Sequence, residues 1–534
     1  MKRHHLAAIA AALAATSAVT PTQAQVGEQI NKDISNNISL DAGLLNGVPP
    51  EAEHVFLKYL RTYVPAQLAD GTAAPDVEYR NILGNLEKTR AQAKPLISVF
   101  NYGPADYPAP AADENVGGFG GHGKRDAFAA VSFDDGNTWK TTNLSDSAVE
   151  FSTSIPSYPG DVISTALAVA GNHIAVAWAS RYCSSGAPAY TADTDSTYIR
   201  DLADVATDLG IDPAHDLYLT DLFGVAGSQG LVDYSAQGYP TVGEVPFACL
   251  WSARGVLKLG DDPRTVGTTE TSYVVWYKPE RLTSGVRDVA RVEIAFVGGA
   301  GVALVWQEDP EGLLPGQGEG PGEGWSGATA NSQTDIWYSF LPDANFESVV
   351  DSAGDPQDLD TYLASDSNKP KPYVPFAVPM RLTNNARCLG GGSGGGTRPY
   401  CTATALDYGL KNQCADTVDI PTGQNSETTQ ICVSEDGMPN VANVAATRPR
   451  LSLQPKSGGG AWATVVAEES KGLGSFFFKT GETLVETAMP CTEGDADCEV
   501  ADEGKNVLYY SFEMGSPSTD SDLSSTGLVK NLLA

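Results

Sequence analysis

The groups best placed to do chemistry lie between Glu280 and Ser339, where bases, carboxylates and tryptophans crowd together. R-L-T-S-G-V-R-D runs from Arg281 to Asp288 and V-W-Q-E-D-P-E-G from Val305 to Gly312. P-G-E-G-W-S-G-A from Pro321 to Ala328 and T-D-I-W-Y-S from Thr334 to Ser339 follow. Glu308 and Asp309 form a carboxylate pair just past an apolar run that ends at Trp306. Two carboxylates are what most glycoside hydrolysis needs, and they are also oxygen ligands for a hard cation. Neighbouring residues of a strand point to opposite faces, however, so this pair is not expected to address one ligand. Arg281, Arg381 and Arg448 could present guanidinium groups, whose planar fork grips a carboxylate through two parallel bonds. The alternative for each arginine is an ion pair that anchors a carboxylate inside the fold.

Other catalytic patterns are weak. His54, His122, His173 and His215 are scattered and form no H-E-x-x-H. Gly391 to Gly395 fits G-x-S-x-G in letters only, because a glycine run lacks the strand-to-helix turn that exposes a nucleophile. Asp193, Asp195, Asp201, Asp204 and Asp208 could offer oxygen ligands to Ca²⁺, although EF-hand spacing is lacking and a solvated acidic loop is the favoured reading. No other cofactor is indicated.

The elements that must position these groups begin with a leader. Met1-Lys-Arg-His-His5 is basic, Leu6 to Ala15 is apolar, and small residues end at Ala24. That pattern is a secretory signal peptide over 1–24, too short to serve as a stable membrane anchor. Eight cysteines follow, an even number that favours disulfides in an exported chain. Cys183 with Cys249 would close the insertion between them, and Cys491 with Cys498 would bracket a short acidic loop. Cys388, Cys401, Cys414 and Cys432 are expected to pair among themselves, in an order left open. No C-x-x-C occurs, which argues against a zinc ribbon and c-type haem. The formal charge of −32, from 66 acids and 34 bases, repels nucleic acid and anionic membranes.

Residues 25–95 read as an N-terminal extension, with helix-like apolar spacing over Pro50 to Arg61 and a second helix over Val77 to Ala91. From Pro95 onward, short apolar strands alternate with Gly, Pro, Asn and Asp turns. Ile174–Trp178, Tyr273–Trp276, Val302–Trp306 and Trp462–Val466 read as repeated inner strands, with Leu96–Phe100 a weaker copy. Ile336–Ser339 and Val507–Phe512 read as the next strand outwards. Such recurrence suits radial β repetition. S-F-D-D-G-N-T-W, from Ser132 to Trp139, reads as a hairpin turn. There Asp134 accepts backbone amides and Gly136 supplies a positive φ. Thr138 restarts a strand, and Trp139 folds its ring back onto the hairpin.

The S-x-D-x-G-x-T-W pattern is the Asp-box and resembles those of sialidase-like β-propellers, where it is structural and lies away from the active face. Arg448-Pro449 and Met380-Arg381-Leu382 resemble inner-strand phrases of propellers. The phrases ERLTSG, ALVWQEDPEG, GPGEGWSGA and TDIWYS resemble exported bacterial proteins described as choice-of-anchor surface proteins, over residues 95–512. The resemblance implies an all-β fold: a sialidase-like β-propeller of about six blades over 96–514, with a short helical N-terminal extension and a polar tail over 515–534. The last stretch shows no closing-blade pattern, so a truncated, incomplete ring is the expectation. True sialidases use an arginine triad and a Tyr–Glu pair; the F/Y-R-I-P motif is missing here and no such pair is identifiable. The resemblance implies a surface or secreted propeller of undefined activity. A scaffold signature without a complete active-site set points to a non-catalytic exported surface or extracellular module that binds a glycan or protein partner. The alternative is a sialidase-like glycoside hydrolase.

Overall fold

The computed structural model of the chain describes residues 33–36, 38–39, 49–104, 124–145, 161–183, 230–233, 244–309, 334–383, 416–421, 428–433, 443–471, 476–480, 483–487, 498–500, 505–515 and 529–531. Positions 76, 81, 82, 266, 268, 269, 284, 286 and 378 are excepted.

The segment His173–Ser180 shows why the fold is layered. Ile174, Val176 and Trp178 enter one apolar core, while Ala175, Ala177 and Ala179 enter another. Side chains of a strand alternate between faces, so a strand apolar at every position must lie between two layers.

Four sheets form in this way, each built on a four-stranded antiparallel meander followed in chain order, with a fifth short strand in the second. The first contains β1 (Pro50–Tyr59), β2 (Leu96–Pro104), β3 (Asp126–Ser132) and β4 (Lys140–Asn143). The second contains β5 (Val162–Ala170), β6 (His173–Ser180), β7 (Cys249–Leu259) and β8 (Ser272–Trp276), and Glu280–Arg281 also pairs with β7. The third contains β9 (Asp288–Val297), β10 (Gly301–Asp309), β11 (Asp335–Pro342) and β12 (Met380–Arg381). The fourth contains β13 (Asn443–Pro455), β14 (Ala461–Lys471), β15 (Lys505–Glu513) and β16 (Val529–Asn531).

The sheets stack in chain order. Ile97, Val99 and Ala129 meet Ile174, Val176 and Trp178 between the first and second. Ala175 and Ala177 meet Val302, Leu304 and Trp306 between the second and third, while Ala303, Val305 and Tyr338 meet Ala463, Val465 and Tyr510 between the third and fourth. The first strands β1, β5, β9 and β13 lie side by side along one edge of the stack. The α-helix among the described residues, α1 (Leu359–Ser365), is capped by Asp358, which accepts from the Thr361 amide at 2.9 Å. Its Leu359, Tyr362 and Leu363 seal the core between the second and third sheets.

The chain is thus all-β in several antiparallel sheets, as expected, but three expectations change. The helix over Pro50–Arg61 is strand β1, paired with β2 from Pro50 opposite Pro104 to Tyr59 opposite Leu96. Its Val55, Leu57 and Tyr59 are exposed, so their spacing marks no buried helical face. Pairing with β2 satisfies the backbone instead, and that tertiary term overrides a weak local pattern. The second expected helix is likewise a hairpin, Val77–Arg80 with Leu86–Arg90. Third, Tyr273–Trp276 is the outermost strand of its sheet.

The other repeated segments, in β2, β6, β10 and β14, are second strands. They are the most apolar because both faces are covered, whereas first strands line an open edge. Ile336–Ser339 and Val507–Phe512 fall on third strands, one step outwards. β16 arises inside the stretch expected as a polar tail and pairs with β15.

The turn at Ser132–Trp139 joins the last two strands of the first sheet. Asp134 accepts from the Thr138 amide at 2.9 Å and the Thr138 hydroxyl at 2.8 Å. The Ser132 hydroxyl donates to Asp134 at 2.8 Å and accepts from the Gly136 amide at 2.9 Å. Gly136 has φ 92°, and the Trp139 indole donates to its carbonyl at 3.0 Å. Every fixed residue of the motif is therefore bound within the turn.

The Cys183–Cys249 disulfide forms as expected, with Cα atoms 5.8 Å apart, and ties the end of β6 to the start of β7. Cys388, Cys401, Cys414 and Cys491 lie outside the described residues. Cys432 and Cys498 are described only as strand backbone.

Candidate functional site

Three of the four first strands carry the same irregularity. Two residues face one across the ladder between Glu53 and Phe56 of β1, Ala290 and Glu293 of β9, and Thr447 and Arg450 of β13. The leading residue of each bulge is His54, Arg291 or Arg448, with φ of 50°, 56° and 51°. Left-handed backbone costs an ordinary residue on the order of 1 kcal/mol, and bulges re-aim side chains at functional edges. Among the described residues only Asp135, in the Ser132–Trp139 turn, joins them as a non-glycine with positive φ. In the second sheet the register shift falls nearer the strand start, where Ala179 faces Ser164 and Ser180 faces Val162, and no residue of β5 has a positive φ. Its Thr165 donates instead to the His54 carbonyl at 2.6 Å, fixing the bulge of the neighbouring sheet.

The charges around these bulges are nearly all paired. Arg125 binds Asp161 through two bonds of 2.9 and 2.7 Å, and also Glu53. Arg448 contacts Glu468 at 3.2 Å, and its amide donates to the Gln307 side chain at 3.2 Å. Arg450 pairs with Glu293 across the third and fourth sheets. Arg291 makes no ion pair among the described residues, and its surface is exposed. Partial burial of its guanidinium, reinforced by Arg448 and Arg450, lowers its pKa, with Glu468 opposing. Glu468 is thus the counter-charge nearest in effect, and Arg448 already contacts it.

His54 stands beside this group. Its residue surface counts as exposed, yet enough of the ring is shielded for desolvation to lower its pKa. Glu53 opposes that shift, Arg125 and Arg291 add to it, and Asp161 opposes it. Solvent screening keeps such effects modest at an exposed ring.

The residues expected from sequence fall into different surroundings. Glu308 is buried, accepting from the Trp306 indole at 2.9 Å and from Arg287 at 2.6 Å. Asp309, also buried, accepts from the Thr334 hydroxyl at 3.1 Å. The two carboxylates bond separate partners, as alternation along a strand requires. Arg281 donates to the Cys183 carbonyl. Gly285, at φ 81°, lies against the disulfide, since a Cβ there would come within 2.7 Å of the Cys249 sulfur. Arg381 enters as strand backbone opposite Trp337.

Arg281 and Arg381 also share a repeated position with Asn143. In Asn143-Leu144-Ser145, Arg281-Leu282-Thr283 and Arg381-Leu382-Thr383, the leucine amide donates to Ala127, Leu250 or Ile336 at 2.7–2.8 Å. The hydroxyl two residues after the Asn or Arg accepts from the amide of that same strand residue at 2.9 Å. This lock ends the outer part of three sheets and accounts for the recurring leucine and hydroxyl residue.

Of the expected arginines, Arg448 alone belongs to the bulge row. Arg291 and His54 were not singled out, because their equivalence depends on strand register. The signal available was faint: A-R-V at 290–292 and T-R-P at 447–449 carry an arginine at the same step. His173 sits elsewhere, its ring nitrogens 2.8 Å from Asp343 and 2.8 Å from Glu347. His122, His215, the aspartates at 193–208 and the glycine run at 391–395 lie outside the described residues. Among the described residues no group of three His, Cys, Asp or Glu could hold a metal ion, and no helix is long and apolar enough to cross a membrane.

No protein-family model matches the sequence, and no curated protein matches it. Among solved structures, the chain is similar to Trypanosoma rangeli sialidase in complex with sialic acid, at 9% identity and a TM-score of 0.22. That match covers 86% of this chain and 56% of the sialidase. The same enzyme with 2,3-difluorosialic acid as a covalent intermediate gives 9% identity and a TM-score of 0.22, covering 87% and 53%. A mutant displaying trans-sialidase activity gives 7% identity and a TM-score of 0.21, covering 86% and 56%. The chain thus spans little more than half the length of the structures it matches. Likenesses this faint establish no activity for it.

Proposed function

We propose that this chain is an exported β-propeller module that binds the acidic group of a glycan or protein partner at the bulge row, without turnover. Four meanders stacked in chain order, with their first strands side by side, support the propeller reading. The basic and apolar leader supports export. The observation that carries the binding reading is Arg291, an exposed guanidinium on a strained bulge with no ion pair among the described residues. Arg448, at the equivalent bulge, brings a second guanidinium close enough to depress its pKa. The carboxylates around the row, Glu53, Asp161, Glu293 and Glu468, are each held by an arginine, which supports binding over acid–base chemistry.

The test is binding of the mature chain to a panel of acidic and neutral oligosaccharides, beside a chromogenic sialoside assay. Arg291→Ala should weaken acidic ligands by about ten- to a hundredfold, the usual worth of a charged hydrogen bond. Folded protein that binds no acidic member of the panel overturns the reading. Sialoside turnover that disappears in Arg291→Ala replaces it with glycoside hydrolysis.

A further inference from the structure

The charges of the bulge row cancel until His54 is counted. Arg125, Arg291, Arg448 and Arg450 stand among Glu53, Asp161, Glu293 and Glu468. Arg125 takes both Glu53 and Asp161, Arg448 takes Glu468, and Arg450 takes Glu293. With His54 neutral, positive and negative charges are equal in number. One proton on His54 gives the row an excess positive charge.

His54 is also placed by the same device as the two arginines. It leads the bulge of β1 as Arg291 leads that of β9 and Arg448 that of β13, with nearly the same positive φ. The charged groups that face it are Glu53 on its own strand, Arg125 ahead of β3, Asp161 ahead of β5, and Arg291 on β9. Both of those carboxylates already bind Arg125. Arg291 offsets the charge that Arg125 leaves over, so among the described residues facing His54 no negative charge is left in excess for an imidazolium.

We propose that His54 takes up a proton from solvent when an oxyanion binds at this row, so that affinity rises as pH falls. The inference rests on the row being an anion site. The ligand chemistry is a carboxylate or sulfate, which gains an imidazolium N–H donor beside the guanidinium groups. The direction of the free-state pKa agrees with it: desolvation, Arg125 and Arg291 outweigh Glu53 and Asp161 and favour the neutral ring in the unliganded chain. A bound anion reverses that balance. Between the free and liganded pKa values one proton therefore enters with the ligand.

The experiment is calorimetric titration of the mature chain with trigalacturonate, and with inorganic sulfate as the minimal probe. Titrations at about pH 5 and about pH 8, below and above the usual histidine range, should show about tenfold tighter binding at the lower value. Repeating them near neutral pH in two buffers of different ionisation enthalpy reads the proton uptake directly. His54→Asn suits the left-handed backbone and should abolish both the pH dependence and the uptake. Binding that is equal at both pH values, or a pH dependence that survives His54→Asn, overturns the proton coupling and leaves the anion site standing. Binding of neither probe at either pH by folded protein overturns the anion site itself.

Discussion

Two regions of the first sheet hold a non-glycine residue in left-handed backbone, and they behave in opposite ways. At the Ser132–Trp139 turn, Asp135 sits inside a closed set of bonds in which Ser132, Asp134, Thr138 and Trp139 all find partners. Towards the other end, His54 leads a bulge whose ring makes no hydrogen bond among the described residues, and Arg291 repeats that condition. Strain backed by satisfied neighbours is architecture. Strain that presents an unpartnered polar group is where a ligand can be accommodated. The comparison separates residues that hold the sheets from those that could face a partner, without reference to any relative.

The largest effect that would test this contrast is at Asp134. Asp134→Ala removes the acceptor for the Thr138 amide and hydroxyl and for Ser132. Stranding buried donors should cost about 3 kcal/mol, read as a lower denaturant midpoint. The affinity for acidic ligands should be unchanged wherever the variant is folded. If affinity falls in step with Arg291→Ala, the two ends are not independent.

Gly136→Ala comes next. A Cβ there meets nothing closer than 3.6 Å, so the cost is conformational and should be about 1–2 kcal/mol. A neutral result would mean that the turn relaxes. Arg291→Ala should move stability by less than about 0.5 kcal/mol, because an exposed, unpaired arginine holds nothing in place. A loss several times that size would assign Arg291 to the scaffold and remove the distinction.

A smaller effect concerns a histidine that is fully partnered. His173, at the start of β6, lies between Asp343 and Glu347 and stacks on Phe346 at 4.5 Å. Burial alone would lower its pKa, but the bonds to Glu347 and Asp343 raise it above the usual value. A raised folded-state pKa stabilises fully below the unfolded-state value and is lost as pH rises through the folded one. Thermal unfolding followed across neutral to mildly alkaline pH should therefore show a falling Tm with a His173-dependent step. His173→Gln should flatten that step, and a step of unchanged size in the variant would refute the assignment.

How far the sequence could be read depended on the range of the interactions. The Ser132–Trp139 turn was fully legible because its bonds close within eight residues and each residue type has one local job. The apolar runs in β6, β10 and β14 were legible because burial on both faces leaves an uninterrupted apolar signal. The run in β8 looks the same yet lies two places further out, since composition reports burial but not position within a sheet. β1 was misread as a helix because its side chains are largely exposed and only pairing with β2 defines it. The strand-end lock that follows Arg281 and Arg381 is not legible locally, because its leucine and threonine close on backbone far away in sequence.

The sequence by itself therefore determined the all-β class, the hairpin turn, the Cys183–Cys249 pairing and the separation of Glu308 from Asp309. These follow from local geometry, from alternation along a strand, or from one long-range bond between named partners. Only the tertiary structure decided that His54, Arg291 and Arg448 are equivalent, because a bulge is a mismatch between two strands and exists in neither alone. It also decided which arginine is left over. Arg450 finds Glu293 at a separation of 157 residues, and a count of charges along the chain cannot say which cation such a pairing leaves exposed.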